Sequence, residues 1–90
     1  PRLEGMTLPL VLAANPVSWG KPGRLSTVEA LAVCLVLLNK DEQARRILNP
    51  FSWGGQFFIL NAEPLSAYKQ AETREKMVDV QWEFFDKPEN

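Results

Sequence analysis

Apolar and polar positions divide the chain into one short apolar run, a loop and a series of helical stretches. Leu8 to Ala14 is apolar throughout and is stopped by Asn15-Pro16, which predicts a buried strand over 8–14. Gly20, Pro22 and Gly23 punctuate the loop that follows, over 15–25. Ser26-Thr27-Val28-Glu29 has the serine and glutamate spacing of a capping box and predicts a helix over about 27–38. Leu31, Val33, Leu35, Val36, Leu37 and Leu38 leave that helix no polar face, so it must be covered on several sides. Asn39 suits the left-handed position that closes it.

Asp41 to Leu48 predicts a second helix, with Ala44, Ile47 and Leu48 inward and Arg45 and Arg46 outward. Ser52 is a candidate cap for a third, over about 53–61, in which Trp53, Phe57 and Leu60 recur at helical spacing. Gly54 and Gly55 weaken its first turn but let another backbone approach. Pro64 suits the start of a last helix, over about 64–85, anchored by Leu65 and Tyr68. Its second half is ambiguous. Val78, Val80, Trp82 and Phe84 alternate as in a strand, yet Met77, Val80 and Phe84 also share a helical face. The helix formers from Glu72 to Lys76, with no turn residue after them, decide for helix. Gly5 reads as a turn into the strand and Pro88 to Asn90 as a fraying end. The expected core of the complete fold is Leu10, Leu12, Leu31, Leu35, Leu38, Trp53 and Phe57, with Arg45 outside it. Strand, loop and then helices favour an α/β class whose sheet lies mostly elsewhere.

Composition narrows the chemistry. Ninety residues, 46% of them hydrophobic, make one small domain. A lone strand needs partners and the chain opens without methionine, so an N-terminal region or a partner chain is expected to complete it. With no histidine, a Ser-His-Asp triad within the chain is excluded, and no metal is expected. Cys34, the single cysteine, sits in the apolar helix and reads as packing. No signal peptide precedes the strand, and Ala30 to Leu38 is too short to span a bilayer, which makes the cytoplasm the default location.

The net charge of -1 gives no general support for nucleic-acid binding. Its distribution is uneven: residues 1–69 carry seven basic and five acidic side chains, residues 70–90 three and six. Lys21 and Arg24 belong to the basic part and lie on the loop; they fit a solvated surface or a phosphate contact. A strand, a glycine-containing loop and a capped helix start converge free N–H groups on an anion or cofactor. The same pattern fits a strand–turn–helix unit whose glycines only turn the chain. Neither a G-x-G-x-x-G run nor a Gly-Lys-Ser/Thr ending is present.

The stretch LPLVLAANPVSWGKPGRLSTVEALAV resembles the C-terminal domain of the Tsr3 family, the ribosomal-RNA aminocarboxypropyltransferases. Leu8-Pro9, Ala13 to Val17, Gly20-Lys21-Pro22, Leu25-Ser26 and Glu29 to Ala32 carry that resemblance, which is strongest to archaeal members. FSWGGQFFILN, Phe51 to Asn61, resembles a second family motif in the right order. Ser18-Trp19 stands where the family has Asn-Tyr, and Gly55 where many members have histidine. The N-terminal Asp-Cys-Ser-Trp motif, source of the family's candidate catalytic aspartate, is absent.

The resemblance implies the C-terminal part of a SPOUT-like, trefoil-knotted domain that binds S-adenosylmethionine, mostly helical within this chain. It further implies transfer of a 3-amino-3-carboxypropyl group to N3 of a modified uridine in small-subunit rRNA or a pre-ribosomal particle. No catalytic residue is expected in this chain. Leu8 and Leu25 would wall the adenine, backbone near Trp19 and Gly23 would read adenine or ribose edges, and Thr27 would hold polar cofactor atoms. Lys21 and Arg24 would contact RNA. A noncatalytic structural or RNA-binding domain packed on a partner is the alternative.

Overall fold

The computed structural model describes residues 8–87, so the turn read at Gly5 and the end read at Pro88 lie outside the described residues. Among the described residues five helices follow one another: α1 Thr27–Leu37, α2 Asp41–Leu48, α3 Gly54–Leu60, α4 Ala62–Gln70 and α5 Arg74–Phe84. Helix α1 packs on α2 and α4, α2 on α3, and α4 on α5.

The apolar run at 8–14 is not a strand of a sheet. Among the described residues a single antiparallel bridge, Leu12 to Pro22, is all that joins extended segments. Successive peptides of an extended chain point to opposite sides, and here the two sides find different partners. On one side the loop supplies backbone: Ala13 N–H donates to Lys21 O at 3.1 Å, Gly20 N–H to Ala13 O at 2.7 Å and Gly23 N–H to Val11 O at 3.1 Å. Pro22 therefore faces Leu12 at a position that makes no ladder bond, where a missing N–H costs nothing.

On the other side four side chains stand in for a neighbouring strand. Leu10 N–H donates to Gln81 Oε1 at 2.7 Å, and Tyr68 Oη donates to Leu10 O at 2.6 Å. Leu12 N–H donates to Asn61 Oδ1 at 2.7 Å, while Asn61 Nδ2 donates to Leu12 O at 2.9 Å. Ala14 N–H donates to Glu29 Oε2 at 2.6 Å. Both edges thus carry partners between Leu10 and Ala14 among the described residues.

The core is built from Val11, Ala14, Ala32, Val33, Val36, Ala44, Leu48, Phe57, Leu65 and Tyr68. Phe57 is fully buried, whereas Trp53 and Leu35 are half-buried and Arg45 is exposed. The parity of the extended segment is the reverse of the expected one: Val11 and Ala13 are fully buried, Leu10 and Leu12 only partly. Within this chain Leu31 and Leu38 are not core, with 47% and 65% of their surface exposed. Helix α1 meets its neighbours through the smaller Ala32, Val33 and Val36 and turns those two leucines outward.

Helix ends explain the remaining corrections. Asn39 has φ +63°, with Asn39 N–H on Val36 O and Lys40 N–H on Leu35 O, a Schellman closure of α1. The start of α3 is capped by no side chain; Trp53, not Ser52, is its N-cap residue. The single last helix expected over 64–85 is two helices. Ala71 is extended after α4, and Thr73 restarts the chain as the N-cap of α5, its hydroxyl accepting from Lys76 N–H at 3.1 Å. No described helix is long and apolar enough to cross a membrane.

Candidate functional site

The loop of residues 15–25 and the start of α1 are organised by Glu29, whose residue surface is fully buried. The capping box is present: Ser26 Oγ accepts from Glu29 N–H at 3.4 Å, and Glu29 Oε1 accepts from Ser26 N–H at 2.9 Å. The carboxylate does more than cap. Its Oε1 also accepts from Ser26 Oγ at 2.9 Å and from Asn15 Nδ2 at 2.7 Å. Its Oε2 accepts from Ala14 N–H at 2.6 Å and Asn15 N–H at 3.2 Å. Burial pushes this carboxyl up. Donors from the Ser26 backbone, the Asn15 side chain, the Ala14 backbone and the Ser26 hydroxyl outweigh that effect, so its pKa lies below the ordinary 4.5. A carboxylate so enclosed is a tie between extended segment, loop and helix, with no face left for a substrate.

Asn15 distributes these ties through the loop. Its Oδ1 accepts from Ser18 N–H at 3.0 Å, and its Nδ2 also reaches Arg24 O at 3.3 Å. Lys21 N–H donates to Ser18 O at 3.0 Å. Gly20 and Gly23, at φ +77° and +72°, supply the left-handed turns.

The predicted site residues fall into three groups. Trp19, Lys21, Gly23 and Arg24 are exposed on the loop, and Thr27 is exposed at the first position of α1. Leu8 and Leu25 are half-buried against the core. Leu8 lines an apolar groove of about 370 Å³ with Pro9, Leu10, Met77, Gln81 and Trp82, to which none of the other predicted residues contributes. The Gly23 N–H is already committed to Val11 O, which leaves its carbonyl as the group able to read a ligand edge. Among the described residues no hydrogen bond reaches the backbone of Trp19, Thr27 N–H or Val28 N–H outside regular helix bonding. These are the groups a polar ligand at the helix start would meet.

A second open cleft, about 570 Å³, lies between α1, α2, α3 and α4 beside the Lys69–Asp41 ion pair at 3.0 Å, and no predicted site residue lines it. No three His, Cys, Asp or Glu side chains converge on a common point among the described residues. Asn61, Tyr68 and Gln81 hold the segment that carries the loop, a role the sequence does not give them. Sequence marks Asn61 only as the last residue of the second motif and Tyr68 only as a helix anchor.

Residues 2–85 match the family described as ribosome biogenesis protein, C-terminal. A 16S rRNA aminocarboxypropyltransferase of Methanopyrus kandleri is 51% identical over 83 residues, 92% of this chain and 49% of its own length. That of Halobacterium salinarum is 42% identical over 87 residues, 97% of this chain and 53% of its own. The solved structure of the SAM-dependent rRNA:acp-transferase Tsr3 from Vulcanisaeta distributa superposes with a TM-score of 0.73 at 36% identity, covering 84% of this chain and 39% of that one. The chain spans about half the length of the curated relatives it matches. On the match over 2–85 and these likenesses, the chain belongs to the ribosome biogenesis protein C-terminal family, the family of the Tsr3 aminocarboxypropyltransferases.

Proposed function

We propose that this chain forms the cofactor- and RNA-positioning part of an S-adenosylmethionine-dependent rRNA aminocarboxypropyltransferase. The fold would be the C-terminal part of a SPOUT-like knotted domain, and the acceptor N3 of a modified uridine in small-subunit rRNA. The observation that carries the reading is the pinned loop 15–25 feeding the capped start of α1, in a chain 51% identical over 83 residues to a 16S rRNA aminocarboxypropyltransferase.

When bound, S-adenosylmethionine supplies an electrophilic carbon next to a sulfonium, with a neutral thioether as leaving group. The fit rests on uncommitted groups: the Trp19 backbone, the Gly23 carbonyl and the N–H groups of Thr27 and Val28. Leu25, half-buried against the core, offers apolar surface, and the Thr27 hydroxyl adds a donor and an acceptor at the helix start. Leu8 lines the apolar groove against α5 and would wall the adenine from that side. Lys21 and Arg24 contribute positive charge for a backbone phosphate. Glu29 contributes position, not proton transfer, since its oxygens are taken by the loop and helix. Catalysis by this part is orientation of the reacting atoms.

The test is cofactor titration and single-turnover transfer of a labelled aminocarboxypropyl group to small-subunit rRNA, using the protein that carries this chain. Thr27→Tyr adds bulk at an exposed position and should weaken cofactor binding at unchanged melting temperature. Gly23 is the wrong place for such bulk: its φ is +72°, and an added Cβ would meet Leu10 Cδ2 at 3.2 Å. Absence of cofactor binding in the wild-type protein, or full affinity in Thr27→Tyr, would remove this assignment.

A further inference from the structure

We infer that the loop from Val17 to Arg24 is a contact for single-stranded RNA, in which the Trp19 ring stacks on an unpaired base and Lys21 and Arg24 meet flanking phosphates. The inference rests on the transferase reading above and adds a base-stacking surface to it.

Exposure comes first. Trp19 leaves 51% of its surface open and Val17 90%. Looseness does not explain this, because the loop backbone is fastened at Ser18, Gly20, Lys21 and Gly23 by bonds of 2.7–3.2 Å. Asn15 holds both ends, at Ser18 N–H and Arg24 O. A ring presented from a fixed backbone loses little conformational freedom when it meets a ligand.

Charge selects the occupant. The only carboxylate between Leu8 and Lys40 is Glu29, which is fully buried within its own hydrogen bonds. Lys21 and Arg24 are exposed, and neither enters an ion pair among the described residues. The loop therefore presents one exposed aromatic ring and two exposed cations, while the single carboxylate of residues 8–40 is closed off. A protein partner that covered only the apolar ring would leave those cations unanswered. A single strand offers both a free π-face and phosphates, whereas the bases of a duplex are stacked on one another and closed to the ring.

The test is fluorescence anisotropy of the protein that carries this chain with an unstructured RNA of about a dozen nucleotides, labelled with fluorescein, and with the same strand annealed to its complement. Trp19→Ala should weaken single-strand binding about tenfold, within the range of base–aromatic stacking, and Trp19→Phe should retain most of it. Both should leave duplex binding, the salt dependence and the melting temperature unchanged. Lys21→Gln with Arg24→Gln should flatten the salt dependence. Unchanged single-strand affinity in Trp19→Ala, or no such binding by the wild type, overturns the inference. So does a drop in the melting temperature of Trp19→Ala, which would mean that the ring packs against protein. Cofactor titration runs in parallel. A wild-type protein that binds no S-adenosylmethionine overturns the transferase reading, and the anisotropy arm decides the loop in either case.

Discussion

The carboxamide of Asn61 lies against the peptide groups of Leu12, 49 residues earlier, accepting from its N–H at 2.7 Å and donating to its carbonyl at 2.9 Å. A second Asn61 donor bond goes to Phe57 O at 2.9 Å. Asn61 is fully buried and links α3, α4 and the extended segment at one point. Asn61→Leu would leave the Leu12 N–H and carbonyl without these partners, while Phe57 O keeps the Asn61 backbone N–H. Each buried orphan costs about 1–3 kcal/mol, so the loss of two should cost about 2–6 kcal/mol. Urea unfolding measures it against Arg45→Ala, an exposed control expected within about 0.5 kcal/mol of wild type. Equal midpoints for the two variants would contradict the arrangement.

Glu29→Gln should cost more than the loss of a cap. A carboxylate accepts at both oxygens, whereas an amide turns one of them into a donor facing the N–H groups that Glu29 now receives. About 2–4 kcal/mol is expected.

The same residue sets a pH dependence. Its folded pKa lies below the ordinary 4.5, so the stability it contributes is present above that value and is lost as pH falls through the folded pKa. Urea midpoints of the wild type should fall below about pH 4.5, and Glu29→Gln should lack that component. Parallel curves for the two proteins would show that this carboxylate does not link folding to protons.

Two adjacent glycines should behave in opposite ways. A Cβ on Gly54 would collide with the Leu48 carbonyl oxygen and stand 2.9 Å from its carbon, because the start of α3 rests on the end of α2. A Cβ on Gly55 meets nothing within 4 Å. Gly54→Ala should therefore destabilise by about 1–3 kcal/mol or more, and Gly55→Ala should stabilise by up to about 1 kcal/mol through helix propensity. Calorimetric melting of both variants provides the comparison. Equal shifts would remove the close approach.

Tyr68 should resist ionisation. Burial raises its pKa from 10.0 to about 12, and its hydroxyl donates to Leu10 O. The folded chain thus holds this proton while the unfolded chain releases it, and stability declines as pH rises from about 10 toward 12. Tyr68 is the chain's single tyrosine, so absorbance titration of this chain reads it directly. A normal phenol transition without unfolding would show that the hydroxyl is open to water.

Local signals made α1 and α2 legible: the capping box at Ser26, Asn39 past the end of α1 and Asn49-Pro50 past α2. The apolar run at 8–14 carried too little information, because a strand beside strands and a strand beside side chains bury the same residues. Nothing local tells Asn61, Tyr68 or Gln81 to turn toward it. The break at 71–73 was missed because Glu72 to Lys76 are helix formers on either side of it, and only Thr73 as a cap marks the restart. Of the site, the loop and the helix start were legible from spacing. The further ties of Glu29, to Ala14 and Asn15, depend on the fold returning the segment to the helix.

The closed edges of the extended segment bear on how this chain stays out of aggregates. LPLVLAA is short, apolar, uncharged and extended, the composition that templates intermolecular β-pairing when its backbone is open. In most proteins a neighbouring strand of backbone removes that hazard. Here a proline-bearing loop covers one flank, and Gln81, Tyr68, Asn61 and Glu29 cover the other, so protection depends on side chains drawn from α1, α5 and the α3–α4 region. Loss of any one of them exposes sticky backbone as well as lowering stability, and damage at these four positions would be felt first as lost solubility.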